Sequence, residues 1–233
     1  NRTAWQITCN RLVNGPAAGQ TAVSLLDGEN RGIIVRDNFF AGSTTVDGAC
    51  ALEIDSAVDS SVTNNHISGF SADAILLRVR AFNVTISDNI ISNVGVAIHL
   101  LASGAGASDW LESVFVQNNA IFDVGNAAIL LARPDGAVGN GVAELCLCGN
   151  RIEQTAGRLR PGAALIDLRL ARLAEQRQGT ITVSKNDVRL VGGPLTTPIH
   201  ALRAAGAVGT LAIQNNVLDG GSVGGDAGGS EPA

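Results

Sequence analysis

One eight-residue pattern constrains this chain more than anything else in it: apolar, any, apolar, any, polar, Asn, any, apolar. It occurs eight times, at 5–12, 33–40, 60–67, 84–91, 114–121, 145–152, 181–188 and 211–218. The Asn is present in every copy, as Asn10, Asn38, Asn65, Asn89, Asn119, Asn150, Asn186 and Asn216. Of the 16 apolar slots ahead of it, only Ser60 departs. Successive copies lie 28, 27, 24, 30, 31, 36 and 30 residues apart. Apolar residues two apart put one face of a β-strand into a core, whereas a helix would need a spacing near 3.6. A unit this short cannot bury its own apolar face, so neighbouring copies must stack.

Between the copies runs a second element, Ala-apolar-x-Leu, as in 74–77 (AILL), 97–100 (AIHL) and 128–131 (AILL), with a variant at 51–54 (ALEI) and looser versions at 22–25 and 165–168. Each repeat therefore reads as two short strands separated by Gly- and Asn-containing turns. The spacing LxxLxLxxN of leucine-rich repeats is absent. From residue 5 to 218 the pattern resembles the right-handed parallel β-helix of pectate-lyase-like proteins and phage tailspikes. The resemblance implies an all-β solenoid of about eight coils, each stacked ~4.8 Å from the next. Ile7, Val35, Val62, Ile86, Val116, Leu147, Val183 and Ile213 then form one inward column. Leu12, Phe40, Ile67, Ile91, Ile121, Ile152, Val188 and Leu218 form a second. The repeated Asn falls where the strand turns; it tolerates left-handed backbone angles and its amide can bond its equivalents above and below.

Domain 1–219 is the solenoid, and 220–233 (GGSVGGDAGGSEPA) reads as a flexible Gly-rich tail or linker. The first repeat is under way by Trp5 and the first residue is Asn, which is expected of a piece of a longer protein. The charge of −5 argues against a nucleic-acid partner, and no apolar run is long enough to span a membrane. Of the four cysteines, Cys146 and Cys148 sit two apart on a strand, roughly 6.6 Å by strand rise. That is awkward for a disulfide, so all four are expected to be small apolar residues, with no metal and no cofactor.

Function on a solenoid sits on loops and outward faces. The longer loops are 101–113, 132–144, 153–163 and 169–180; the first, second and fourth should leave the same corner, and 169–180 has the spacing of one or two helical turns. The resemblance implies, for an active member, Ca²⁺ held by clustered acids beside a basic residue. Here the outward acids are sparse: Glu53 and Asp167 stand in the column of His99, each two coils away, with Leu76 and Leu130 between. Asp37 and Asp88 at the Asn turn are two coils apart, ~10 Å, too far to share an ion. The best constellation is His99 and Asp109 for acid–base work, with Trp110 stacking on a sugar and Glu53 and Asp167 lining the same face. His66 falls in a turn and His200 in a strand of uncertain register. Tyr is absent, which weakens a sugar-binding reading.

These features favour a non-catalytic rigid scaffold or interaction module of a larger secreted, surface or phage-tail-like protein. The alternative is a polysaccharide-active lyase, hydrolase or epimerase. The expected partners are a polysaccharide, the flanking domains of the parent protein, and further copies of the chain as a trimer or end to end; the expected location is extracellular or at the cell surface.

Overall fold

The computed structural model describes residues 2–13, 15, 17–26, 28–101, 110–132, 141–155, 158–169, 179–191, 200–205, 210–219 and 222–226. Every strand pairing among them is parallel, and each strand pairs with its equivalent about one repeat away. Strands that turn back at a steady pace and pair only with the coils before and after build a β-helix.

The octet is not one strand. It splits after its fourth residue, so each coil contributes to three sheets where the pattern suggests two. The first sheet holds Gln6–Thr8, Ile34–Arg36, 60–63, 84–87, 114–117, Glu144–Cys148, Thr180–Ser184 and Thr210–Gln214. The second runs from Arg11–Val13 through His66–Ser68 to Val217–Asp219. The Ala-apolar-x-Leu element makes the third, from Thr21–Leu25 through Ala164–Arg169 to His200–Ala205. A short ladder beginning with Arg2–Thr3 and Asn30–Arg31 bridges the third sheet to the first. Both expected inward columns are in register from end to end, Ile7 to Ile213 and Leu12 to Leu218. A third runs Val23, Leu52, Ile75, Ile98, Ile129, Ile166 and Leu202. Short of the last coil, where Ile213 is exposed, they enclose one core, in which each fully buried Ile or Leu contributes roughly 1.5–3 kcal/mol. The exception, Ser60, is buried but satisfied: its hydroxyl donates to the Val58 carbonyl and accepts from the Ile33 N–H.

The octet splits because of one residue, and it is not the Asn. Cys9, Asp37, Asn64, Asp88, Asn118, Gly149, Lys185 and Asn215 all have φ between 54° and 68°. Each stands immediately before a repeated Asn and takes the left-handed turn itself. The Asn is thereby freed to point inward in extended conformation, and Asn38 through Asn186 are buried. Seven links join the eight. In each, the backbone N–H and the Nδ2–H of one Asn both donate to Oδ1 of the next, at 2.9–3.1 Å. The second Nδ2 proton goes to a first-sheet carbonyl of the preceding coil, from Asn38 to Ile7 at 2.7 Å and so on to Asn216 and Val183 at 2.8 Å.

Two further expectations are corrected. Within the supposed tail, Ser222–Asp226 is a strand that pairs with His200–Ala205, so the third sheet continues past residue 219. Cys146 and Cys148 are joined by a disulfide with Cα atoms 5.8 Å apart. The ideal step of roughly 6.6 Å lies at the long end of the span that a disulfide tolerates, and the twisted strand shortens it to the commonest disulfide separation. Cys9 and Cys50 are free thiols. The proposed helical turns lie in a loop mostly outside the described residues.

Asn89→Ala would strip both acceptor contacts from Asn65 and the donors to Asn119 and Val62. It should cost about 3–5 kcal/mol in denaturant melts, since each buried orphan costs about 1–3. Lys185→Gly, by contrast, should stabilise by about 0.5–1 kcal/mol, because exposed Lys185 at φ 57° takes the position that Gly149 fills without a Cβ.

Candidate functional site

The third sheet carries most of the outward residues singled out from the sequence. Its register places Ser24, Glu53, Leu76, His99, Leu130, Asp167 and Arg203 in one column, so Glu53 and Asp167 are indeed two rungs either side of His99. The structure does not bring them together. Glu53 accepts from Thr21 Oγ1 at 3.0 Å and is paired with Arg78. That hydrogen bond holds the Arg78 guanidinium above its usual pKa. Asp167 is 1% exposed and held by Arg169 and Arg203. Burial pushes its carboxyl up, but the two guanidiniums outweigh burial and leave it below the usual carboxylate range. Both acids brace the scaffold.

His99 has a partner that the sequence did not point to. Asp109 lies outside the described residues, and Trp110 opens the strand Trp110–Gln117. The imidazole instead leans across to the preceding coil, where its Nδ1 is 3.2 Å from both carboxylate oxygens of Asp73. Asp73 begins the strand Asp73–Ser87, beside Val96 on the strand that carries His99. An ionised carboxylate only accepts, so in a neutral imidazole Nδ1 carries the proton toward Asp73 and Nε2 is the bare nitrogen. Nε2 is buried and has no hydrogen-bond partner among the described residues. Cys50 also belongs to this corner: burial raises its thiol pKa, and the Asp73 and Glu53 charges add to that against a hydrogen bond with the Asp73 backbone.

A cleft of about 560 Å³ opens here, lined by Asp47, Asp73, His99, Leu130, Arg160 and Arg169 among others. One wall comes from residues 160–163, at the end of a loop that the sequence marks as long. Its residues 158–163 fold back over earlier coils: Arg158 Nη1 donates to Asn93 Oδ1 at 2.6 Å, and the Arg160 N–H donates to the Gly125 carbonyl at 3.0 Å. The cleft thus sets an imidazole oriented by a carboxylate beside Arg160 and Arg169 and the apolar Val96 and Leu130. Asp73 and Arg160 were not legible as site residues. Their contacts run diagonally between coils, and no spacing in the chain records them.

The other histidines lie elsewhere. His66 begins a second-sheet strand rather than sitting in a turn, and packs edge-on against Phe39 at 5.1 Å. His200 pairs with Ala164 on the third sheet, and its buried Nδ1 has no partner among the described residues. Among the described residues, no three His, Cys, Asp or Glu side chains gather into a set that could hold a metal ion.

Arg203→Gln would leave Asp167 buried with one guanidinium. It should cost about 3 kcal/mol at pH 7. A carboxyl whose pKa is depressed on folding stabilises above its unfolded pKa, near 3.9, and loses that contribution as pH falls through the folded value. The gap between variant and wild type in denaturant melts should therefore shrink below pH 4.

Residues 1–140 match the model of the right-handed beta helix region. No curated protein matches the chain. The family model covers more than half of the sequence, its repeat is the one that forms the three sheets and the Asn ladder, and the chain accordingly belongs to the right-handed β-helix family.

Proposed function

We propose that this domain is a rigid, non-catalytic β-helical scaffold and interaction module of a larger secreted, surface or phage-tail-like protein. The observation that supports it best is how the surface charges are used. Six of the eleven ion pairs among the described residues join one coil to another, among them Arg31 to Asp59, Arg78 to Glu53, Arg203 to Asp167, and Arg80 to Glu29 across two coils. Outward groups that hold the rod together are committed to stiffness. On this reading the flanking parts of the parent protein, and further copies of the chain as a trimer or end to end, are the partners, and the rod sets the distance between them.

A second reading is favoured by the cleft. An enzyme acting on a polysaccharide would use His99 as the proton acceptor, its buried Nε2 uncovered when substrate binds, with Asp73 holding the imidazole in the required tautomer and Arg160 facing an anionic substituent.

A single screen separates the two. The purified chain is assayed with and without Ca²⁺, acidic polysaccharides by the absorbance of unsaturated products and neutral ones by reducing ends, with folding checked by circular dichroism. The scaffold reading expects no turnover. Turnover abolished by His99→Ala and strongly reduced by Asp73→Asn would replace it with the second reading. Turnover indifferent to both would discard the scaffold reading and the His99 site together.

A further inference from the structure

We infer that Cys146 and Cys148 form a reversible dithiol–disulfide site that exchanges with small thiols from solution and serves no structural cross-linking role. The two cysteines stand on the outward side of the strand Glu144–Cys148, half-buried, while Leu145 and Leu147, which alternate with them, fill the core. A disulfide stabilises chiefly by closing a loop in the unfolded chain, and the effect grows with loop length. This one spans a sequence separation of 2, close to the shortest loop there is. The strand needs no such clamp, because it is paired in full register on one side with 114–117 and on the other with Thr180–Ser184. The bond is therefore nearly idle in holding the fold, yet it lies on an open sheet face.

Its surroundings suit thiol exchange. The Ser184 hydroxyl is 3.2 Å from Cys148 Sγ and can donate to the thiolate when the disulfide opens. The rigid strand keeps the two sulfurs adjacent in either state, so a mixed disulfide at one is within reach of the other. The remaining cysteines do not intervene. Cys9 follows Thr8, five rungs from Cys148 along the first sheet, roughly 24 Å at the usual strand spacing, and Cys50 is buried on the third sheet.

The chemistry balances with a low-molecular-weight thiol as co-reactant. A solution thiolate attacks one sulfur, a mixed disulfide forms, and the other cysteine leaves as a thiolate that takes a proton. A second solution thiol attacks the mixed disulfide and releases the protein dithiol. Two thiols become one small disulfide, and the protein gains two electrons and two protons.

The test uses the full chain with Cys9→Ser, which removes the exposed free thiol. After oxidation with glutathione disulfide, titration with a chromogenic disulfide should find no fast-reacting thiol in the native protein and only Cys50 in denaturant. Dithiothreitol, then desalting, should expose two more thiols in the native state. The circular dichroism spectrum should be unchanged, Tm should shift by less than about 5 °C, and glutathione disulfide should reverse the change. Three titratable thiols in denaturant after exhaustive oxidation, exchange that requires denaturant, or a larger fall in Tm would each overturn the proposal. Replacing both cysteines by Ser should abolish the exchange while leaving the melt within the same limit.

Discussion

A buried carboxamide must find hydrogen-bond partners, and the fold is arranged around that demand. A column of Asn at the corner between two sheets can satisfy itself only if the coils sit directly over one another at strand spacing. Each Oδ1 then accepts twice from the preceding Asn, and each Nδ2 donates once along the column and once to a first-sheet carbonyl. A slip of one residue in any coil would orphan several of these groups in the interior, where each costs about 1–3 kcal/mol. The ladder therefore holds the register that the apolar columns alone would leave soft, since one Val or Ile can take another's place far more cheaply than an unpaired amide can be buried.

With the register held at one corner, the other corners are free to vary. Loops of very different length leave the coils without disturbing the stack, and an imperfect rung such as Ser60 is tolerated where its hydroxyl is satisfied locally. The surface uses the same regularity, with Arg and acid side chains on neighbouring rungs drawn together. Exposed pairs of this kind contribute little singly. The pairing of Asp167 with Arg169 and Arg203 differs because the carboxylate is buried and losing either guanidinium leaves it under-compensated.

Two places depart from this lattice logic. At His99, the imidazole reaches diagonally to Asp73 and leaves a buried Nε2 with no partner among the described residues, beside a cleft. At Cys146 and Cys148, the first sheet carries a covalent bond that its hydrogen bonding does not require. Both lie on outward faces, where the repeat places no demand on side-chain identity and chemistry can be added without cost to the core.

The sequence by itself determined the architecture. Alternation with period two, an Asn in every octet and a repeat near 30 residues leave the β-helix as the arrangement that buries both apolar columns and satisfies the amides, and the register of Ile7 to Ile213 follows from the pattern alone. Read from the pattern, the left-handed turn falls one residue too late, on the repeated Asn, although five of the eight residues before the ladder are Asn or Asp and one is Gly. The split of the octet, and with it the third sheet, is missed for the same reason. Tertiary structure decided the rest. Whether Glu53 and Asp167 were free or paired depended on Arg78, Arg169 and Arg203 reaching them across or along the rungs. That His99 meets Asp73, and that 158–163 folds back to wall the cleft, depended on diagonal contacts between coils. The physical reason is the same throughout. A periodic pattern encodes which rung a residue occupies, while contacts between rungs depend on side-chain reach, strand twist and the path of loops, none of which has a period.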